Sequence, residues 1–499
     1  MPETMKPVAE MPLQDAAQAP ILPILIGGGW RPSTAPDAQP VFEPARGTVL
    51  CRVPFCSAGE VDAAVASAER AFPQWKATPV TDRVQFLFRY KQLLEQHFDE
   101  LGRMVSRENG KILEEARGEV RRGIEVVDFA CGMPTLMMGE GLESIAREVD
   151  SYTVRVPLGV VAGICPFNFP AMIPLWMFPI AIAAGNTFVL KPSERTPMTA
   201  VRLGELLQEA GLPAGVFNLV HGARETSDAL IAHPAVRAIS FVGSEPVARH
   251  IYQAAGQHGK RVQAMAGAKN HLIVMPDADL PSSLKAIINS AFGGAGQRCL
   301  AGSVAVAVGD IGDRLVQELT QAAGAMRVGD PLLADSAMGP VIRTDTCKRV
   351  LSYIDKGLSD GAKLVLDGRK ASAVPGGFFI GPTIFDHVRP ESAIAQEEIF
   401  GPLLAVVRVK TLDEALKVVN RSKFGNASSI FTRSGAAARQ FRTQVEAGMV
   451  GVNVGVAAPM AFFPFAGWKA SFFGDLHATG KDAVKFYTET RVVIERWPS

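Results

Sequence analysis

Along the chain the spacing of hydrophobic positions changes period several times. Residues 60–76 and 82–105 repeat apolar side chains every three to four positions, which predicts two amphipathic helices, the second with Thr81 as its N-cap. A long helix is expected over 111–131. Tyr152-Thr153-Val154-Arg155-Val156 alternates with period two, as a strand does. From residue 158 short β-branched runs alternate with helix-period segments: strand Gly159–Ile164, helix 171–184, strand Thr187–Leu190, helix 197–209, strand Val216–Val220, helix 224–232 and strand Ala238–Val242. Such alternation implies a parallel sheet wound with helices on both faces. A second α/β run extends from near 265 to about 460, with strands near 272–275 and 303–308 and helices near 281–292 and 312–324. The final segment, Arg491-Val492-Val493-Ile494, is an isolated strand with little core of its own. It is expected to pair elsewhere, with the 150–156 strand of another subunit as the candidate partner.

Composition narrows the function classes. The 499 residues carry 51 Lys+Arg against 50 Asp+Glu, a net charge of +1 that argues against nucleic acid or an anionic membrane as the main partner. Residues 156–190 contain no charged side chain, long enough to span a bilayer. Pro157, Pro166, Pro170, Pro174 and Pro179 interrupt them, and each removes a backbone donor that lipid would not replace. The stretch therefore reads as buried core around a site. Residues 1–20 read as a mobile tail, with neither a signal peptide nor an arginine-rich transit pattern. Cys51, Cys56, Cys131, Cys165, Cys299 and Cys347 are too scattered for a disulfide framework, and no CxxC or Cys/His cluster suggests zinc. A reducing, cytoplasmic setting is expected.

Five short runs carry candidate chemistry. In Gly293-Gly294-Ala295-Gly296-Gln297-Arg298-Cys299, small residues let a ligand approach one cysteine, and Arg298 would help lower its pKa; the competing reading is a structural cysteine after a helix end. Pro166-Phe167-Asn168-Phe169-Pro170 places an amide inside the uncharged stretch, either to donate to an oxyanion or simply to form a turn. Lys191-Pro192-Ser193-Glu194 follows a strand at the edge where such sheets bind nucleotides, although a helix N-cap at Ser193 and a solvated charge pair would look the same. Phe241-Val242-Gly243-Ser244 ends a strand and opens a helix that could meet a pyrophosphate, yet no GxGxxG accompanies it. Glu397-Glu398-Ile399-Phe400-Gly401-Pro402 joins a carboxylate and an aromatic at a turn, which is also how an acidic surface loop reads.

In this order the runs resemble the aldehyde dehydrogenase superfamily over roughly residues 22–497. Gly267-Ala268-Lys269-Asn270-His271, Gly296–Cys299 and Met460-Ala461-Phe462-Phe463-Pro464-Phe465 are similar to its CoA-acylating methylmalonate-semialdehyde branch, which oxidises methylmalonate and malonate semialdehydes to propionyl- and acetyl-CoA. The resemblance implies an α/β fold with a Rossmann-type NAD-binding domain (21–137 and 158–264), a catalytic domain (265–467), a β-hairpin oligomerisation arm (138–157 and 485–499), a return segment (468–484) and a homotetramer. It makes Cys299 the nucleophile and gives the oxyanion hole to Asn168 and the Cys299 N–H. Phe167, Lys191, Glu194, Ser244, Glu398 and Phe400 become NAD-binding residues: Lys191 and Glu194 at the adenosine ribose, Ser244 at the pyrophosphate, Glu398 and Phe400 at the nicotinamide ribose. A carboxylate at Glu194 would repel a 2′-phosphate, so NAD is favoured over NADP. CoA is the implied co-substrate, entering after the reduced cofactor moves aside.

Two departures bear on mechanism. Hydrolytic relatives carry a glutamate near the position of Met265, and no Asp or Glu occurs between Glu245 and Asp277. Methionine takes no proton, so an acyl-enzyme would survive until CoA arrives; the alternative is a hydrolytic enzyme whose distal glutamate reaches in and releases a free acid. Ala248 stands where many relatives have glycine. Arg298 and Arg122, the latter more than Arg121, are candidate anchors for a substrate carboxylate, against a thiol-activating role for Arg298 and a solvated helix face for the other two.

Overall fold

A computed structural model describes residues 18–371 and 375–497. An eight-stranded sheet orders its strands Gly29–Arg31, Ile24–Ile26, Phe217–Leu219, Thr187–Lys191, Val160–Ile164, Val236–Val242, Arg261–Met265 and Phe472–Gly474. The five from Phe217–Leu219 to Arg261–Met265 are parallel, and the outer strands run antiparallel. Chain order therefore reverses between Val160–Ile164 and Val236–Val242, the place where doubly wound sheets open a ligand crevice. The uncharged stretch supplies the two central strands Val160–Ile164 and Thr187–Lys191 and, between them, the helix Met172–Ala183, buried at every residue. That helix packs on Leu113–Cys131 at Gly123, where a Cβ would lie 2.5 Å from Leu175 Cδ1, so a larger residue would force the helices apart.

The second sheet is seven-stranded: Lys363–Leu366, Thr383–Asp386, Leu403–Val409, Gly302–Val308, Asn270–Val274, Ala427–Phe431 and Met449–Val452, all parallel except the first. Only residues 266–269 separate the carboxyl end of Arg261–Met265 from the amino end of Asn270–Val274, so the two sheets meet end to end. The expected strands and helices from 158 to 324 are present within a few residues of their expected ends.

Three expectations and one competing reading change. The 82–105 helix is two, Val80–Gln96 and Phe98–Asn109, broken at His97. Thr81 is not its cap: the helix starts after Pro79, and no side chain caps it. No helix opens at Ser193; the next begins at Met198. The terminal strand is Thr488–Arg496, and it pairs within its own chain, from Thr488 opposite Pro157 to Arg496 opposite Val149. Arg261 Nη1 donates to the Phe486 and Thr488 carbonyls (both 2.8 Å) and Asn186 Nδ2 to that of Tyr487 (2.9 Å), anchoring the returning chain beside Pro157. With exposed Gly141–Ala146 it forms a three-stranded arm. Of the expected tail, residues 1–17 lie outside the described residues, whereas the carbonyls of Ala19 and Pro20 accept from Arg52.

Candidate active site

Cys299 follows a tight turn. Helix Leu280–Phe292 ends and Gly293–Gly296 loops over with Gly294 (φ 58°) and Ala295 (φ 53°) both left-handed, a conformation costing about 1 kcal/mol for alanine. The Cys299 carbonyl then accepts from two side chains, Asn270 Nδ2 and Asn426 Nδ2, each at 2.9 Å. Both asparagines stand at the amino ends of strands in the second sheet, so the Cys299 backbone is held by the sheet itself. The thiol lies where two cavities meet, one of about 870 Å³ and one of about 700 Å³. Burial first, and the charge of Glu398 next, push it up to about 12. Arg298 does pull the thiol down, as expected, but its pull is the weakest of the influences and is outweighed by burial, and its guanidinium is occupied by Glu115 at 2.5 Å.

Asn168 is 4 % exposed and donates through Nδ2 to the Gln297 carbonyl (3.1 Å), which fixes the amide two residues from Cys299 and leaves its second N–H over. Its own carbonyl accepts from Lys111 Nζ (2.7 Å), and Lys111 also bonds Glu119 Oε2 (2.5 Å). Glu119 Oε1 in turn accepts the N–H groups of Ala171 (2.8 Å) and Met172 (3.2 Å), at the start of the buried helix. A buried ion pair thus ties the 166–171 loop to helix Leu113–Cys131. Lys111, Glu115, Glu119 and Asn426 were missed in the sequence. The first three sit at four-residue spacing, a helix-face signal that reads as solvated charge.

The smaller cavity brings together Phe167, Asn168, Lys191, Glu194, Ser244, Cys299, Glu398 and Phe400. Ser244 is the N-cap residue of helix Glu245–Gln257, yet its hydroxyl makes no cap bond, so hydroxyl and helix end both stay available to an anionic ligand. Lys191 Nζ is buried, donating to the carbonyls of Gly222 (2.7 Å) and Pro192 (3.1 Å), while Glu194 is about one-third exposed beside Arg195. Glu398 Oε1 accepts the Ala268 N–H (2.9 Å), and burial pushes its carboxyl up to about 7. Nearby Lys269 is buried without a hydrogen-bond partner for its amine among the described residues, and desolvation pulls it down to about 7. Phe400, left-handed at φ 55°, sets its ring edge-on to Phe167 at 5.8 Å. Ala248 packs in the core of its helix, away from the cavity wall.

The larger cavity holds Arg122 and Arg298 with Cys299, Phe169, Trp176 and Phe465. Arg122 Nη2 donates to the Pro459 carbonyl (2.7 Å), and Glu125 lies 3.4 Å from Nη1. Arg121 stays outside, forked onto Glu95 (2.5 and 2.9 Å) and stacked over Phe98. Met265 is 3 % exposed at the end of its strand.

Residues 30–493 match the aldehyde dehydrogenase family. The chain is 58 % identical over 473 residues to malonate-semialdehyde dehydrogenase 3 of Geobacillus kaustophilus (strain HTA426), covering 95 % of this chain and 98 % of that one. Among solved structures, methylmalonate-semialdehyde dehydrogenase from Oceanimonas doudoroffii superposes with a TM-score of 0.95 at 48 % identity, covering 96 % of this chain and 99 % of that one. A Sinorhizobium meliloti 1021 protein solved with NAD gives 0.95 at 45 % identity, covering 97 % and 99 %. With a doubly wound sheet, a thiol clamped between two cavities and likeness along nearly its whole length, this chain belongs to the aldehyde dehydrogenase family.

Proposed function

We propose that the chain catalyses the NAD-dependent, CoA-acylating oxidation of methylmalonate semialdehyde and malonate semialdehyde to propionyl-CoA and acetyl-CoA, with loss of CO2, through a thioester on Cys299. The carrying observation is the thiol shared by two cavities, one lined by Arg122 and Arg298, with buried Met265 where hydrolytic relatives have their base. The names of the similar proteins support the substrate class.

The Cys299 thiolate adds to the aldehyde carbon, and the remaining Asn168 N–H and the Cys299 N–H take the alkoxide charge. NAD, when bound, supplies the hydride acceptor. Ser244 and the helix end would meet its pyrophosphate, Lys191 and Glu194 its adenosine ribose, and Glu398, Phe400 and Phe167 the nicotinamide side. Arg122 and Arg298 hold the substrate carboxylate until it departs as CO2, and a proton from solvent takes its place on the α-carbon of the thioester. CoA thiolate then attacks the thioester carbonyl and regenerates Cys299.

One observation favours a second reading. Glu398 ionises near 7, and its charge reaches the thiol, so it could take a proton from water and release a free acid. NADH formation followed with and without CoA, with products identified across a panel of semialdehydes, separates the two. CoA-independent turnover to the acid would defeat the acylating reading. The arm over 138–157 and 485–499 is proposed to join subunits into a tetramer. The domain boundaries and the reducing, cytoplasmic setting are proposed with it, the six free cysteines supporting the latter.

A further inference from the structure

The cations and carboxylates lining the larger cavity are equal in number: Lys111, Arg122, Lys285 and Arg298 face Glu114, Glu115, Glu119 and Glu125. A site that must attract a carboxylate is therefore internally neutralised. The pair closest in sequence to the nucleophile is Arg298 with Glu115. Glu115 Oε1 lies 2.5 Å from Arg298 Nη2, and the carboxylate also accepts the Gly294 N–H, at 3.1 Å to Oε1 and 3.0 Å to Oε2. It is thus bound to the strained turn before Cys299 as well as to the guanidinium. Arg298 lies over Gly293, its guanidinium carbon 2.5 Å from where a Cβ there would sit, so the absence of a side chain at 293 makes its place. Beyond Glu115, its Nη1 has only long contacts, 3.4 Å to the carbonyl and Oδ1 of Asn289. Donors remain for an incoming carboxylate, but the charge it meets is already largely cancelled.

We propose that Glu115 is a specificity-determining residue, a fixed counter-ion that limits how tightly Arg298 holds the substrate carboxylate. The inference rests on the reading of Arg298 as a carboxylate anchor. Its logic is that the carboxylate must leave: binding that stabilises it in the ground state and not in the transition state for CO2 loss lowers KM and slows turnover. Glu115→Gln keeps an acceptor for the Gly294 N–H and removes the charge. KM for malonate semialdehyde should fall at least fivefold, with a lower kcat, while KM for propanal, which has no carboxylate, shifts less than twofold. Equal shifts for both aldehydes, or none, would overturn the proposal. Glu115→Asp, which keeps the charge, should restore the wild-type ratio of the two KM values; a ratio that stays at the glutamine value also overturns it. Should Glu115→Gln fail to fold, Arg298→Lys, which keeps the cation but loses the short contact, reads the same competition: a ratio unmoved by that change counts against Glu115. Arg298→Ala separates the two layers. If it leaves the malonate semialdehyde to propanal ratio unchanged, the anchor itself is wrong; if it raises that ratio and Glu115→Gln does nothing, only the role of Glu115 fails.

Discussion

At the scale of single residues, a thiol held up to about 12 is almost wholly protonated at neutral pH. A positive charge brought into the smaller cavity would reverse that, and the ring of oxidised NAD carries one. Alkylation of Cys299 by iodoacetamide should therefore run at least tenfold faster with NAD than without, read by mass spectrometry of the 299 peptide; equal rates would place the activating charge elsewhere. Asn168→Ala should lower kcat by about 10²–10³ with little change in KM, the size typical for one lost oxyanion donor. Glu398 titrates near 7 in the fold against about 4.5 unfolded, so the folded state holds its proton longer. The stability this gives is complete below about 4.5 and is lost as pH rises through 7, so Glu398→Gln should flatten the fall in melting temperature between pH 5 and 8. Cys299 and Asn168 were legible in the sequence because each stands out from its surroundings, one among glycines, the other in a stretch without charge. The net effect on the thiol was not, because the carboxylate that raises it, Glu398, is remote in sequence and Arg298's partner lies 183 residues away.

Among elements, helix Leu113–Cys131 has the largest hidden role. Its first turns carry Glu115 to the turn before Cys299 and Glu119 to Lys111, so one helix holds both the 166–171 loop and the thiol loop. Lys111→Met leaves Glu119 buried without its counter-ion and should cost about 3–5 kcal/mol in urea unfolding. Lys111→Met/Glu119→Gln removes the stranded charge yet keeps an acceptor for the Ala171 and Met172 N–H groups, and should recover much of that loss. Turnover should stay low in both variants, because the Asn168 carbonyl has lost its donor. The sequence pattern located this helix nearly to the residue. It could not say that the charged edge faces a cavity, because polar spacing looks the same toward water and toward a lined pocket. Helix 82–105 failed for a different reason: apolar spacing runs unbroken past His97, and the break is a local backbone turn that periodicity does not register.

For the whole molecule, parallel-sheet alternation made both sheets readable, whereas their end-to-end meeting depended on contacts distant in sequence, such as the Asn168 amide on the Gln297 carbonyl. The arm shows the same limit: its strand and the 150–156 segment it pairs with were visible, but not that the pairing lies within one chain. Val492 and Ile494 are 62 % and 70 % exposed on that arm. If the arm joins subunits, Val492→Lys/Ile494→Lys should shift sedimentation toward single chains; an unchanged profile would remove the arm from the assembly. The seat of Cys299 between two cavities has a pharmacological consequence. An electrophilic inhibitor shaped for the larger mouth would be trapped on the sulfur without competing for the dinucleotide. High cellular NAD would then offer the enzyme no protection from it, and selectivity among relatives would be decided by the residues around that mouth.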